Sequence, residues 1–348
     1  MAQTKEIIER LRDTHSLDAP GYRSILLDET PESNDFLRSE ARRAADSVFG
    51  KGVFIRGLVE ISNHCRNNCL YCGLRAGNAD IRRYRLSKED ILECCRRCYL
   101  QGFRTFVLQG GEDPVQTDDW VEDLVEAIRA QFPDCAITLS LGEKSYESYR
   151  RFREAGADRY LLRHETFNAG HYSRLHPSGM SRENRLECLR SLKELGYQTG
   201  SGIMVGSPYQ TVDNLVEDLL FIQDLHPEMI GIGPFIHHKD TPFASFNDGS
   251  VALTLKLISL FRLMDPHALI PATTALATLD PQGRSKGILA GANVVMPNCS
   301  PASVRGDYSI YEGKAASGAE SAEGLAYLGM ELDAIGYEIA TGRGDYLL

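Results

Sequence analysis

The stretch VFIRGLVEISNHCRNNCLYCGLR, residues 53–75, runs from an apolar, strand-like segment straight into a loop carrying Cys65, Cys69 and Cys72 at C-x3-C-x2-C spacing, with Tyr71 just before the third thiol. Three thiolates can hold three irons of a 4Fe-4S cube and leave the fourth open to a ligand, whereas closed iron-sulfur and structural zinc sites take four protein ligands. The competing reading is a helix face, since positions i, i+4 and i+7 would also align three core cysteines. Asn63, Asn67 and Asn68 are poor helix formers and Gly73 follows at once, so a loop at a strand end is the better assignment. The segment points to chemistry at an iron.

Outward from this loop, strand-like runs at 53–61, 104–109, 135–141, 158–164, 197–205, 229–235, 268–274 and 292–296 alternate with amphipathic helical runs at 87–101, 118–131, 146–155, 182–195, 211–224, 251–264 and 283–290. Such alternation with short connections implies a parallel sheet, and eight repeats imply a closed (βα)8 barrel of the TIM type. Residues 1–50 are expected as an N-terminal helical extension, 51–300 as the barrel, and 301–348 as a C-terminal loop and helix closing it, the loop at 312–324 and the helix near 319–336. In a barrel of this kind catalytic groups sit at the C-terminal strand ends. The polar and glycine-rich motifs fall there: QGGEDP (109–114), SLGE (140–143), RHET (163–166), GSGIMVGSP (200–208), GPFIHHKDTP (233–242), PATTA (271–275) and MPNCSP (296–301).

Composition narrows the partners. With 43% hydrophobic and 25% charged residues the chain reads as an ordinary soluble globular protein. Its 38 basic against 48 acidic residues give a net charge of -10 without a cationic stripe, which argues against nucleic acid and anionic membrane. The N-terminal MAQTKEIIERLRDTH lacks an apolar signal region and no stretch approaches the ~20 apolar residues of a membrane span, so a cytoplasmic location is expected. Nine cysteines then favour a reducing compartment with metal chemistry over a disulfide framework. Cys94, Cys95 and Cys98 lie in a predicted helix with Ser87 as N-cap and Asp90 at the capping-box position; no second half of a metal site accompanies them, and they are read as packed thiols of open role. Cys135, Cys188 and Cys299 are isolated and read the same way.

At the strand ends, Gly110 and Gly111 allow close backbone approach, and their carbonyls, with Glu112 nearby, can accept from an ammonium group; a plain turn is the alternative. Glu165 and Arg185 offer opposite charges suited to the two ends of an amino-acid ligand, or to each other as a structural ion pair. Gly200, Gly202 and Gly206 can bring backbone to a flat ring, and Tyr71 can pack on it. Thr273 and Thr274 put hydroxyl donors at a strand end, where an anionic guest or a plain core would suit them. Tyr308 and Tyr311, three apart, can share one face of a helical turn and by themselves read as a surface pair.

These residues carry a resemblance. The cysteine motif after the first strand, Gly-Gly-Glu at the second and the glycine-rich fifth strand resemble the radical S-adenosylmethionine (SAM) enzymes. That resemblance implies a 4Fe-4S cluster whose open iron is chelated by SAM and which cleaves it reductively to a 5'-deoxyadenosyl radical. More narrowly, CRNNCLYCGLR, RYRLS, LQGGEDP, TLSLGE, GADRYLLRHET, KELGYQTGSGIMVG, GIGPFIHHKDTP, IPATTA and GANVVMPN together look like the HydE-type maturases of FeFe hydrogenases, over about residues 53–314. By that likeness Cys65, Cys69 and Cys72 would hold the cluster. Tyr71, Gln109, Gly110, Glu165, Arg185 and Met204 would bind SAM, and Arg163, Thr273, Thr274, Met296, Tyr308 and Tyr311 would line a substrate cavity. Some HydE-type proteins carry three more cysteines near the C-terminus for a second cluster; residues 300–348 contain none, which excludes one at that place.

The leading functional expectation is a maturase whose radical attacks the sulfur of a cysteine-ligated iron carbonyl cyanide complex, working with other hydrogenase maturases and a low-potential electron donor. A methylornithine synthase-like mutase is the enzymatic alternative; it should bind lysine and would need an acidic partner for the side-chain ammonium, where the sequence shows Arg163 and no evident carboxylate. An iron-sulfur electron carrier is the non-enzymatic one, and such proteins usually saturate iron with four protein ligands.

Overall fold

The computed structural model describes residues 2–315 and 317–347; Ala316, inside the loop expected at 312–324, lies outside them. Helices Ala2–Thr14, Ala19–Leu27 and Pro31–Phe49 precede the first strand, the second opened by the Asp18 side chain accepting from Gly21 N–H at 3.0 Å. Their apolar faces, with Ile8, Leu11, Tyr22, Ile25, Leu37 and Ala41, join the main core. Among the described residues no helix is long and apolar enough to cross a membrane.

The strands are β1 (Gly52–Ile55), β2 (Gly57–Ser62), β3 (Thr105–Gly110), β4 (Ala136–Ser140), β5 (Arg159–Leu161), β6 (Gln198–Val205), β7 (Met229–Pro234), β8 (Val294–Val295) and β9 (Glu338–Ala340). β2 to β7 pair in order, all parallel, and β1 pairs in parallel with β8 on one side and β9 on the other. Parallel bridges Met229↔Leu269, Pro271↔Val294 and Leu58↔Asn298 carry the pairing from β7 round to β2. The chain is the expected barrel, its ring completed by isolated bridges instead of continuous ladders.

Several elements differ from the sequence reading. The first strand, expected over 53–61, is broken at Arg56 into β1 and β2. The seventh, expected over 268–274, shrinks to bridges at Leu269 and Pro271: Pro271 has no N–H to give, and Thr273 already serves as N-cap of helix Thr274–Leu279. β9 and helix Ala169–Leu175 were not expected, and the last helix is shorter, Leu325–Asp333 after two single 3₁₀ turns. Cys98 and Cys299, read as separate packed thiols, are joined in a disulfide that ties helix Lys88–Leu100 to the segment after β8; a separation of 201 residues hides such a pair from sequence. Cys94, Cys95, Cys135 and Cys188 are buried and free.

Strand alternation sorts the barrel interior. Val59, Ile61, Phe106, Leu108, Ile137, Leu139, Tyr160, Leu162, Ile203, Val205, Ile230 and Ile232 face the helices in the main core. The intervening positions therefore point inward: Glu60, Gln109 and Arg163 form an upper layer, while β6 and β7 contribute Gly200, Gly202, Gly231 and Gly233 and leave room. The lower end is sealed by the C-terminal segment. Arg159 donates to the carbonyls of Arg343 and Gly344 at 2.9 and 3.0 Å and to Asp345 Oδ1 at 2.6 Å; Thr105 Oγ1 donates to the Arg343 carbonyl at 2.7 Å, and Gln198 Oε1 accepts Tyr346 N–H at 3.0 Å. Burial works to raise the Asp345 pKa, but hydrogen bonds and charge from Arg343 and Arg159 hold it down at about 2.

Candidate active site

The loop after β2 is braced from several sides. Asn63 crosses its base: Nδ2 donates to the carbonyls of Arg82 and Asp307, each at 2.8 Å, and Oδ1 accepts Tyr84 N–H at 2.7 Å. The Arg83 guanidinium donates to the carbonyls of Asn63, Leu74, Arg75 and Asn78, a role that only tertiary structure reveals. Backbone N–H groups of Arg66, Leu70 and Gly73 reach the carbonyls of Glu112, Leu175 and Ile310 at 3.0, 2.9 and 2.9 Å. Two glycines let neighbouring segments press in: a Cβ on Gly111 would lie 2.3 Å from His64 O and 2.6 Å from Cys65 Cβ, and one on Gly73 2.1 Å from Ser309 O.

This loop presents Cys65, Cys69 and Cys72, each free and partly exposed. Burial raises all three thiol pKa values, that of Cys72 to about 12, and Cys69 feels the other two thiols. Free thiolates are disfavoured here, so a cationic group is what would hold them ionised. Among the described residues no group of three His, Cys, Asp or Glu converges as around a single ion. Three free, partly exposed thiols on one braced loop are the donor set that a three-thiolate cluster takes, each thiolate on a different iron.

At the end of β5 the charges are paired otherwise than the sequence suggested. Glu165 and Arg185 are not bonded to each other: Arg163 Nη2 donates to Glu165 Oε2 at 2.8 Å, and Arg185 Nε donates to Glu143 Oε1 at 2.6 Å and Nη1 to the Arg163 carbonyl. Glu143, the last residue of SLGE, is a charge that sequence reasoning did not single out. Glu165 sits at φ 65, a left-handed conformation costly for a side chain of its size, maintained by its N–H on the Gly202 carbonyl at 3.0 Å. Glu112 is engaged by protein groups: it binds Arg66 and accepts Glu143 N–H at 3.0 Å. Gly110 ends β3 opposite Ser62.

Tyr71 and Met204 meet in a small apolar cluster with Leu70, Leu175, Phe235, Phe243 and Phe246. The Tyr71 hydroxyl lies 3.2 Å from His176 Nε2, while His176 Nδ1 faces the Tyr172 carbonyl at 3.0 Å. Burial and the nearby Arg185 push the His176 pKa down to about 3, so the ring is neutral at pH 7. A carbonyl can only accept, which puts the proton on Nδ1 and makes Nε2 the acceptor for Tyr71.

Above the inward glycines, the segment after residue 306 roofs the barrel. Gln109 Nε2 donates to the Tyr308 hydroxyl at 3.3 Å, and Tyr308 is buried. Burial raises the Tyr311 pKa, eased by its contact with the Thr278 side chain. The two threonines part company: Thr274 Oγ1 donates to Glu320 Oε2 at 2.5 Å, whereas the buried Thr273 Oγ1 has no partner. Met296 packs lower down, on Met229, Leu269 and Val294. Contrary to the sequence reading, the interior does hold a carboxylate: Glu60, with no exposure, is bound by Lys314 Nζ through Oε1 and by Asn298 Nδ2 through Oε2 at 2.8 Å.

Comparison with known proteins gives consistent relatives. A Radical SAM superfamily model matches residues 59–222. The chain is 47% identical over 306 residues to the FeFe hydrogenase maturase subunit HydE of Thermotoga maritima, covering 88% of this chain and 84% of that protein. It is 32% identical over 290 residues to the 3-methylornithine synthase of Methanosarcina barkeri, covering 82% and 81%. Among solved structures, methylornithine synthase (PylB) superposes with a TM-score of 0.84 at 27% identity, over 96% of this chain and 97% of that one. The maturase HydG of Carboxydothermus hydrogenoformans gives 0.82 at 22% identity, over 98% and 80%, a likeness of fold alone.

Proposed function

Because the chain belongs to the radical SAM superfamily, and within it to the family of the hydrogenase maturase HydE, it is an enzyme, and we propose that it acts on a cysteine-ligated iron carbonyl cyanide complex during assembly of the FeFe-hydrogenase di-iron site. When bound, the family's 4Fe-4S cluster and SAM supply a reductively cleaved sulfonium and with it a 5'-deoxyadenosyl radical.

Cys65, Cys69 and Cys72 would hold the cluster on a loop that Arg83 and Asn63 keep in shape. Glu165 and Arg185 would take the amino and carboxylate ends of SAM, with Glu143 orienting the Arg185 guanidinium and Gly110 offering backbone. Tyr71, its hydroxyl tied to His176, and Met204 would cover the flat ring. Gln109 would link that site to the cavity roof through Tyr308. Arg163, Thr273 and Met296 give the guest a cation, an unused hydroxyl and a soft apolar wall, with Tyr308 and Tyr311 above. Thr274, engaged by Glu320, serves the roof.

One observation carries the substrate reading over the lysine mutase. The inward carboxylate of the cavity, Glu60, already faces Lys314, and Glu165, beside Arg163, is the group assigned to SAM, so neither is left for the side-chain ammonium of a lysine substrate. We place the work in the cytoplasm, beside other hydrogenase maturases and a low-potential electron donor. The deciding experiment supplies the reduced, reconstituted protein and SAM with the iron complex and, separately, with lysine. Consumption of the complex with lysine untouched is expected; rearrangement of lysine with the complex inert would overturn the assignment.

A further inference from the structure

Glu60 and Lys314 form an ion pair inside a barrel wall, and neither belongs to the residues assigned above. Glu60 points inward from β2, in register with Gln109, and its own N–H donates to Ser300 Oγ at 2.8 Å. Lys314 arrives from the roof segment with a side chain 10% exposed, its ammonium 5.1 Å from the Tyr308 ring centroid. That segment is pinned to both rims of the mouth: the Asp307 carbonyl accepts from Asn63 Nδ2 at 2.8 Å, the Ile310 carbonyl from Gly73 N–H at 2.9 Å, and Glu312 N–H donates to the His237 carbonyl at 2.9 Å. Lys314 is thus delivered to Glu60 by a strap in fixed register.

The consequence is electrostatic. A buried carboxylate without a cation is costly, and a site that offers one recruits an ammonium from its guest. With Lys314 in place that demand is met from within, the ammonium sharing its donors between Glu60 and the Tyr308 face. We propose that Lys314 is the specificity-determining residue of the cavity: seated on Glu60, it takes the place an incoming amine would occupy and so excludes cationic guests from that carboxylate. The identity of the guest rests on the maturase reading; the charge rule does not.

The test is equilibrium binding to the anaerobically reconstituted, SAM-loaded protein, with L-lysine and L-norleucine as probes that differ in one ammonium group. The wild type should show no preference between them. Lys314→Met should prefer lysine by about 10 to 150-fold, the span of one charge-assisted bond, and the double variant Glu60→Gln with Lys314→Met, which buries no charge, should lose the preference. Glu60→Gln alone, which frees the ammonium and needs no folded Lys314→Met protein, should bind nitrate at least about 10-fold more tightly than wild type. Absence of a lysine preference in folded Lys314→Met, its persistence in the double variant, or unchanged nitrate affinity in Glu60→Gln overturns the charge rule. Wild-type turnover of lysine would instead sink the maturase reading, so the two failures are distinguishable.

Discussion

Replacing Arg185 with Ala should damage both the fold and SAM binding, and the geometry sets the size of each loss. The Arg185 side chain is 8% exposed and Glu143 13%, so the pair is desolvated. Stranding one member of such a pair typically costs ~3 to 5 kcal/mol. Glu143 Oε2 keeps its bond from Asn184 Nδ2 at 2.6 Å, which puts the loss at the low end, ~3 kcal/mol. Unfolding entropy of about 2.1 cal/mol/K per residue over 348 residues is about 0.7 kcal/mol/K, so the melting temperature should fall by about 4 °C. The ligand side adds a charge-assisted bond of ~1.5 to 3 kcal/mol, a 10 to 150-fold weaker SAM dissociation constant. Differential scanning calorimetry of the cluster-free protein reads the first, and anaerobic calorimetric titration of the reconstituted protein the second. Glu143→Gln keeps a hydrogen-bond acceptor for Arg185 and should show the smaller loss in both. Melting within about 1 °C of wild type would refute the packing argument; lower melting with unaltered SAM affinity would make Arg185 purely structural.

Anaerobic reconstitution should give about four irons and four sulfides per chain, and changing Cys65, Cys69 and Cys72 together to Ala should abolish them; a full cluster in that variant would refute the ligand assignment. Thr273→Val should impair turnover of the iron complex while sparing cluster content and SAM affinity. Thr274→Val should act on stability through Glu320, and equal effects of the two would contradict the separation of their hydroxyls. Asp345 is depressed in the fold to about 2 from an ordinary value near 3.9, so its contribution of about 2 to 3 kcal/mol is present above pH ~4 and lost as pH falls through 2. Acid titration of unfolding should therefore be flatter over that window in Asp345→Asn; parallel curves would dismiss the linkage.

The architecture was readable because the strand faces that pack on helices are uniformly apolar, as in Phe106, Leu108, Ile137 and Leu139, and the cysteine loop identified itself by spacing. Strand seven was overextended because its apolar composition was weighed above Pro271, which lacks a donor, and Thr273, which begins a helix. β9 is three half-exposed residues whose pairing depends on the open edge of β1, a partner far away in sequence. At the site, residue types were legible and partners were not. Glu165 and Arg185 were recognised as charges, but Arg163 and Glu143 complete them, and the four carbonyls gathered by Arg83 become neighbours only once the loop has folded. Glu60, inside an otherwise apolar strand, was a signal that passed unused.

The seal at the foot of the barrel bears on the order of assembly. β1 has one neighbour in Val294–Val295 and the other in Glu338–Ala340, and Arg159 Nη2 is satisfied by residues 343–345. During synthesis the first strand leaves the ribosome long before either neighbour exists, and closing so distant a contact is slow. The ring therefore stays open until nearly the whole chain has emerged, and the strap that carries Tyr308 and Lys314 over the mouth is among the late arrivals. A nascent molecule therefore leaves its cysteine loop without the braces from Asp307 and Ile310 through that interval.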